Sequence, residues 1–435
     1  MRYPTRPLEY FTKMKELRRS ITRDTFSAKE RGKPVVMGGE GGLHALYAAF
    51  DAEVLPAMPT GHEMRDIDRV IKLNQAAEDR GYGMDCCATL RIALGAHFLG
   101  TFGLDKKRGK HLSPDVIVNL IICQGQIKSH QLHAEYLGIP NINIELPSFT
   151  HNPELAKKNF ITQCHQAVEK LERVLGRKCD DEKLVEGTKN ELRIRMSIAK
   201  IALLQKTIPA PLKLRHMSSL MAFQLRGVTH RRDVADFYDL ILQEVKQRVN
   251  DGIAACEDEE FRLFHEGSLP WYAKLGDVLR YPERYGGVYI GSLNNFGIGG
   301  SFIIDEQGRW DVAPASWETG QGIKSREDAF EALAEVCLKY SPFSRLFMRS
   351  ELRLSAAKDW KVDGVVLALD RGCVGLTSGL FESALVIKEA GIRATCYETS
   401  STYPSDFDEK GYQGLMDSFI ETLRTRKDTI HSYAK

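Results

Sequence analysis

Short apolar runs of strand length alternate with helix-period segments towards both ends of this chain, while the middle carries the helical pattern alone. Gly364 to Leu369 is a β-branched-rich run, and it meets a glycine-flanked loop that holds Cys373. A helix follows, with Leu380, Ala384, Leu385 and Ile387 spaced for one face, and Ala390-Gly-Ile392 stops it. Ala394 to Glu398 then reads as the returning strand. Pro114 to Ile122 repeats the design: Cys123 stands at the strand's carboxyl end, and a helix runs to Leu137. Gly138-Ile-Pro140 ends that helix, and Asn141 to Glu145 returns. A strand from Phe261 into a polar loop, a helix to Leu279 and a strand at Gly287–Gly291 give a third such unit. Pro34 to Met58 reads as strand, turn with four glycines around Glu40, short helix and strand. That turn could admit a ligand to the backbone or be a turn and no more.

From Asn152 to Val249 the pattern is helical only, with segments reaching Leu175, Lys206, Arg226 and Val249. The expected class is therefore α/β, with two Rossmann-like or flavodoxin-like parallel-sheet domains and an intervening helical segment. The expected boundaries are 1–150 for the first α/β domain (Cys87 and Cys123), 151–255 for the helices and 256–435 for the second (Cys373). Residues 294–322 read as a long glycine-rich irregular loop.

Charge and composition narrow the class further. A net charge of +2 from 60 basic and 58 acidic residues leaves no nucleic-acid or membrane footprint. No apolar run approaches the ~20 residues of a spanning helix, and the amino terminus has no signal core, so the chain is expected in the cytoplasm. Nine cysteines are an odd number scattered over the chain, unlike a secreted disulfide framework. Cys164, Cys179, Cys256, Cys337 and Cys396 read as small buried hydrophobes.

Cys87, Cys123 and Cys373 differ, because each precedes a helix, where the dipole and free N–H groups favour a thiolate. Their spacings of 36 and 250 residues match neither a zinc ribbon nor a ferredoxin run. If they converge, they suit an iron–sulfur cube held at three corners, or a three-thiolate zinc. His265 and Glu266, in the polar loop at a strand's carboxyl end, are candidates for proton transfer or thioester contact. No phosphate-loop or dinucleotide fingerprint occurs, so any ATP must be bound by another chain.

Several ordered stretches resemble the 2-hydroxyacyl-CoA dehydratase and benzoyl-CoA reductase subunit family. They are Gly41-Gly-Leu-His-Ala-Leu-Tyr-Ala-Ala-Phe50, Asp85-Cys-Cys-Ala-Thr-Leu-Arg91, Ser113-Pro-Asp-Val-Ile117 with Cys123, and Leu137-Gly-Ile-Pro140. Gly267-Ser-Leu-Pro-Trp271, Lys361-Val-Asp-Gly-Val-Val366 with Cys373, and Lys388-Glu-Ala-Gly-Ile392 complete the set. The resemblance implies a [4Fe-4S] cluster on Cys87, Cys123 and Cys373, with Cys86 adjoining the first and competing for its place. It also implies an acyl-CoA substrate, a homologous cluster-bearing partner subunit, ATP-hydrolysing activator subunits and an electron donor such as ferredoxin. Thr399-Ser-Ser-Thr402 departs from the family's commoner ending. The overall look of Asn143 to Phe149, with Phe264, Trp271, Phe296 and Phe302 as lining for a phenyl ring, leans towards the larger cluster-bearing subunit of an ATP-dependent benzoyl-CoA reductase. Radical 2-hydroxyacyl-CoA dehydration is the alternative, and a non-catalytic metal-binding scaffold is a third reading.

Overall fold

The computed structural model describes residues 2–39, 41–57, 64, 66–83, 85–105, 109–147, 152–272, 275–297, 299–315, 322–342 and 350–433. Glu40, at the centre of the glycine turn, lies outside them, as do residues 298 and 316–321 of the expected loop.

Two four-stranded parallel sheets organise the chain. The first is built from β1 (Val35–Gly38), β2 (Glu53–Pro56), β3 (Val116–Ile121) and β4 (Asn141–Glu145), in the order β2-β1-β3-β4. The second holds β5 (Phe261–Gly267), β6 (Gly287–Gly291), β7 (Gly364–Asp370) and β8 (Arg393–Thr399), in the order β6-β5-β7-β8. Counted within its own sheet, each order is 2-1-3-4. Each sheet therefore reverses direction between its first and third strands, which is where α/β sheets open a crevice at their carboxyl ends. β3 is buried along its whole length and β7 nearly so, as parallel strands covered on both faces must be.

The helices follow from local signals. In α1 (Tyr10–Phe26) the buried residues Tyr10, Met14, Leu17, Ile21 and Thr25 repeat at helical spacing. α2 (Ala88–Phe98) and α3 (Gln124–Leu137) start on Cys87 and Cys123, and Gly138 closes α3 in the left-handed region at φ 66°. α4 (Pro153–Leu175) is capped by Asn152, whose side chain accepts from the Leu155 N–H at 3.0 Å. Asp180 caps α5 (Asp181–Leu204) in the same way, and α6 (Arg232–Asn250) packs along it. Among the described residues from 146 to 260 there is no strand, only helices and their connections.

Two large cores flank this helical block. One gathers Val36, Leu46, Val118, Phe160 and Leu192 around the first sheet, with Cys164 and Cys337 buried in it. The other gathers Phe261, Leu263, Val366, Phe237 and Trp360 around the second, and α7 (Leu380–Glu389) and α8 (Glu409–Tyr433) cover that sheet. Phe264, Phe296 and Phe302 belong to this core. Phe296 stacks on the fully buried Trp360 at 5.2 Å, so these rings fill volume rather than line a pocket.

Two expectations need correction. The 294–322 stretch contains a short helix, Leu293–Gly297, and an antiparallel ribbon pairing Phe302–Ile304 with Trp310–Val312. Buried Phe302 and Trp310 pin the ribbon against the core. His265 and Glu266 are strand residues of β5, not loop residues, because the strand runs on to Gly267. No helix among the described residues is long and apolar enough to cross a membrane.

Candidate functional site

Cys123 and Cys373 each follow the third strand of their sheet, and each is the N-cap of the next helix, α3 in one case and Val374–Thr377 in the other. Cys87, the N-cap of α2, comes from the connection between β2 and β3. The fold brings the three together. A Cβ built on Gly125, in the first turn of α3, would lie 3.7 Å from the Cys87 Sγ and 3.8 Å from the Cys123 Sγ. The missing side chain of Gly125 therefore leaves a gap that both sulfurs face. Cys373 joins them through its neighbour: the Ala88 N–H donates to the Gly372 carbonyl at 2.9 Å, setting the start of α2 against the Cys373 loop.

The electrostatics agree with this proximity. Burial pushes the Cys373 thiol up, and the fields of Asp370, Cys87 and Cys123 push it further, against an opposing hydrogen bond from the Leu376 N–H. The free thiol is protonated at neutral pH and ionises when a cation takes the proton's place. Of the neighbouring pair, Cys87 rather than Cys86 stands beside Gly125, and the Cys87 Sγ lies 3.1 Å from the Thr89 hydroxyl. Among the described residues, no three His, Cys, Asp or Glu side chains close tightly enough to chelate a single metal ion.

A second feature sits on the same carboxyl edge of the first sheet and has no sequence motif. The turn after β1 puts Gly39, Gly41 and Gly42 at φ 118°, 86° and 114°, where a side chain would be strained. At Gly42 a Cβ would also lie 2.6 Å from the Arg195 Nη2. This turn roofs a small cavity of about 20 Å³, room for about one water, lined by His44, Glu191, Arg195 and Gln224. Glu191 and Arg195 pair at 3.4 Å across one helical turn, and Glu191 also accepts from the Leu43 and Ala45 N–H groups. Burial lowers the His44 pKa to about 4, so the ring is neutral, and its Nδ1 lies 2.6 Å from the Thr229 hydroxyl.

His44 Nε2, Arg195 Nε and Gln224 Oε1 are buried with no hydrogen-bond partner among the described residues. Buried polar atoms left this way mark places for a water or a ligand. The cavity adjoins the cysteine edge, because a Cβ on Gly41 would lie 2.7 Å from the Leu120 carbonyl and 3.5 Å from the side chain of Ile122, one residue before Cys123. In the sequence the glycine turn marks this place, whereas the Glu191–Arg195 spacing on one helix alone signals an ordinary ion pair.

His265 and Glu266 lie elsewhere. Each is 1% exposed within β5. The His265 Nε2 lies 2.8 Å from the Tyr397 hydroxyl, while Glu266 accepts from the Leu293 N–H at 2.7 Å and faces Arg353 at 3.6 Å. Burial lowers the His265 pKa to about 3 and raises that of Glu266 against the pull of Arg353.

Comparison with known proteins gives one consistent result. Residues 46–426 match the family of the 2-hydroxyglutaryl-CoA dehydratase D-component. The (R)-phenyllactyl-CoA dehydratase alpha subunit of Clostridium sporogenes is 23% identical over 95% of this chain and 96% of its own length. The lactoyl-CoA dehydratase alpha subunit of Anaerotignum propionicum is 23% identical over 80% of this chain and 81% of its own length. A benzoyl-CoA reductase subunit of Thauera aromatica is 22% identical over 92% of this chain and 91% of its own.

Proposed function

The chain belongs to the 2-hydroxyglutaryl-CoA dehydratase D-component family, and from that premise we propose that it is the iron–sulfur subunit of an enzyme acting on an acyl-CoA thioester, eliminating water from a 2-hydroxyacyl-CoA. The observation that carries the reading is that Cys87 and Cys123 flank the gap at Gly125 while the Cys373 loop is bonded to the start of α2 beside Cys87. Three soft thiolates, each on a helix N-cap, suit a cube held at three corners with one iron left open. Bound there, a [4Fe-4S] cluster would supply a low-potential electron and an open coordination position.

The chain's own side chains would do the rest. When the thioester takes up an electron its carbonyl oxygen gains charge, and buried donors aimed at it stabilise that charge without rearranging. The Arg195 Nε and the neutral His44 ring offer unpartnered polar atoms in the adjoining cavity. Glu191 already balances Arg195, so the site suits an uncharged thioester better than a free acid. A thioester carbonyl is common to a 2-hydroxyacyl-CoA and to benzoyl-CoA, so these atoms do not choose between them, and the dehydratase subunits among the similar proteins favour the first. His44 at 1% and Arg195 at 6% exposure keep bulk water from the carbonyl.

Reduction of benzoyl-CoA is the second reading, favoured by the similarity of nearly the whole chain to the Thauera aromatica benzoyl-CoA reductase chain. In both readings ATP hydrolysis belongs to a separate activator. A ferredoxin-like donor stands upstream of it, and a homologous subunit stands alongside this one. Anaerobic co-purification with iron, sulfide and partner analysis is the test. About four irons with matching sulfide are expected per cluster, together with water loss from a 2-hydroxyacyl-CoA and no net electron use. ATP-dependent loss of aromaticity from benzoyl-CoA would move the assignment to the second reading. Zinc without sulfide, or no metal, would remove both.

A further inference from the structure

Cys87 and Cys373 stand 286 residues apart in the sequence and belong to different sheets, so something must fix their separation. Ala88, the residue after Cys87, is gripped twice by the second sheet. Its N–H donates to the Gly372 carbonyl at 2.9 Å, and its carbonyl accepts from the Thr402 hydroxyl at 3.2 Å. The fit is tight, since a Cβ on Gly372 would sit 2.5 Å from the Ala88 Cβ.

Both grips lead back to one residue. The Asp370 carboxylate Oδ1 accepts from the Gly372 N–H at 2.8 Å and the Ser401 N–H at 3.2 Å. Its main-chain carbonyl accepts from the Cys373 N–H at 3.2 Å and the Thr377 hydroxyl at 2.8 Å. Asp370 is 1% exposed, so these bonds form away from competing water. The Ser401–Thr402 loop is also tied from outside, because the Trp271 N–H donates to the Ser401 carbonyl and the Asn74 side chain to the Thr402 carbonyl, both at 3.0 Å.

We infer that Asp370 is the positioning residue for two of the three thiolates, holding the Gly372–Cys373 loop and the Ser401–Thr402 loop in register so that they clamp Ala88 between them. Cys123 lies outside its reach. The neighbouring Ile122 N–H is held by the Gln126 side chain at 2.8 Å, within the first sheet's own elements. The unusual Thr399-Ser-Ser-Thr402 run thereby acquires a role: it supplies the second half of the clamp. The inference rests on the cluster reading for its purpose but not for its geometry.

The test uses the full-length, metal-free chain, labelled with iodoacetamide and mapped residue by residue by mass spectrometry. Asp370→Ala is expected to speed labelling of Cys87 and Cys373 about tenfold while Cys123 changes little. Asp370→Asn keeps an acceptor oxygen and should restore the wild-type rate at Cys87, whereas Cys373, freed of the carboxylate's field, stays faster in both variants. After anaerobic reconstitution, Asp370→Ala should bind iron about 10- to 100-fold more weakly than Asp370→Asn. If Asp370→Ala labels Cys87 like the wild type, or if Asn fails to restore the Cys87 rate, the inference falls. Should Asp370→Ala unfold and expose all three thiols equally, Thr402→Val decides: faster labelling of Cys87 over Cys123 supports the clamp, and no change overturns it. A wild-type chain that takes up no cluster would remove the proposed function and leave the thiol map standing.

Discussion

The two sheets share one strand order and place a cysteine after the same strand, yet their carboxyl edges differ in kind. The first presents glycines at positive φ over a cavity holding an ion pair and a neutral histidine. The second presents a buried carboxylate whose bonds run to backbone and hydroxyl groups. Beneath the first edge, the buried residues of α3 are Gln126, His130 and His133, with no aliphatic residue among them. His130 lies between Asn119 and Asn143 of the sheet, and the His133 Nδ1 lies 2.7 Å from the His97 Nε2 of α2. The two helices that begin at Cys87 and Cys123 are thus joined by directional bonds. Repeated topology settles where sulfur can stand, and the residues around it divide the edges between a side with unpartnered buried polar atoms and a side that clamps.

The strongest way to break the comparison is to remove sulfur from one sheet at a time. Cys123→Ser and Cys373→Ser should each abolish cluster binding and lower turnover by about a thousandfold or more, with little change in unfolding midpoint. A variant that kept full iron content would end the equivalence of the two positions.

Next come the glycines. Gly372→Ala forces a methyl against Ala88 and should cost about 1–3 kcal/mol in urea unfolding. Gly125→Ala meets only ordinary contacts at 3.4 Å and beyond, so it should fold within about 1 kcal/mol of wild type. It should nevertheless bind less iron, because the methyl occupies the gap between two sulfurs.

A further effect, graded by pH, is acid sensitivity. Burial lowers His97 and His130 to about 4 and His133 well below its ordinary 6.5. Between those values the unfolded chain binds more protons than the folded one, so stability should fall as pH drops from about 6.5 towards 4, by up to about 1.4 kcal/mol per unit for each group. Hydrogen exchange at pH 5 should show α2 and α3 losing protection before β7 and β8. His97→Gln should flatten the slope by about one proton.

Much of this is legible from period and punctuation. Both sheets, the helical middle and the cysteine-bearing strand ends follow from β-branched runs, glycine stops and 3.6-residue spacing, all of which are local signals. What is not legible depends on partners distant in the chain. His265 and Glu266 read as loop residues because they are polar, yet inside β5 Tyr397 lies against one while Arg353 and the Leu293 N–H satisfy the other. The Phe302–Trp310 ribbon is hidden by its glycines. Arg195, His44 and Gln224 share no motif, and Asp370 looks like no more than the end of a strand. The choice between Cys86 and Cys87 turns on which of them immediately precedes α2.

The double hold on Ala88 carries a mechanical consequence. Many two-domain α/β enzymes admit substrate by swinging their halves open like jaws. Here such a swing would break the bonds from Ala88 to the Gly372 carbonyl and the Thr402 hydroxyl, so the two halves are latched to each other beside Cys87 and Cys373, and any motion between them must begin by releasing that latch.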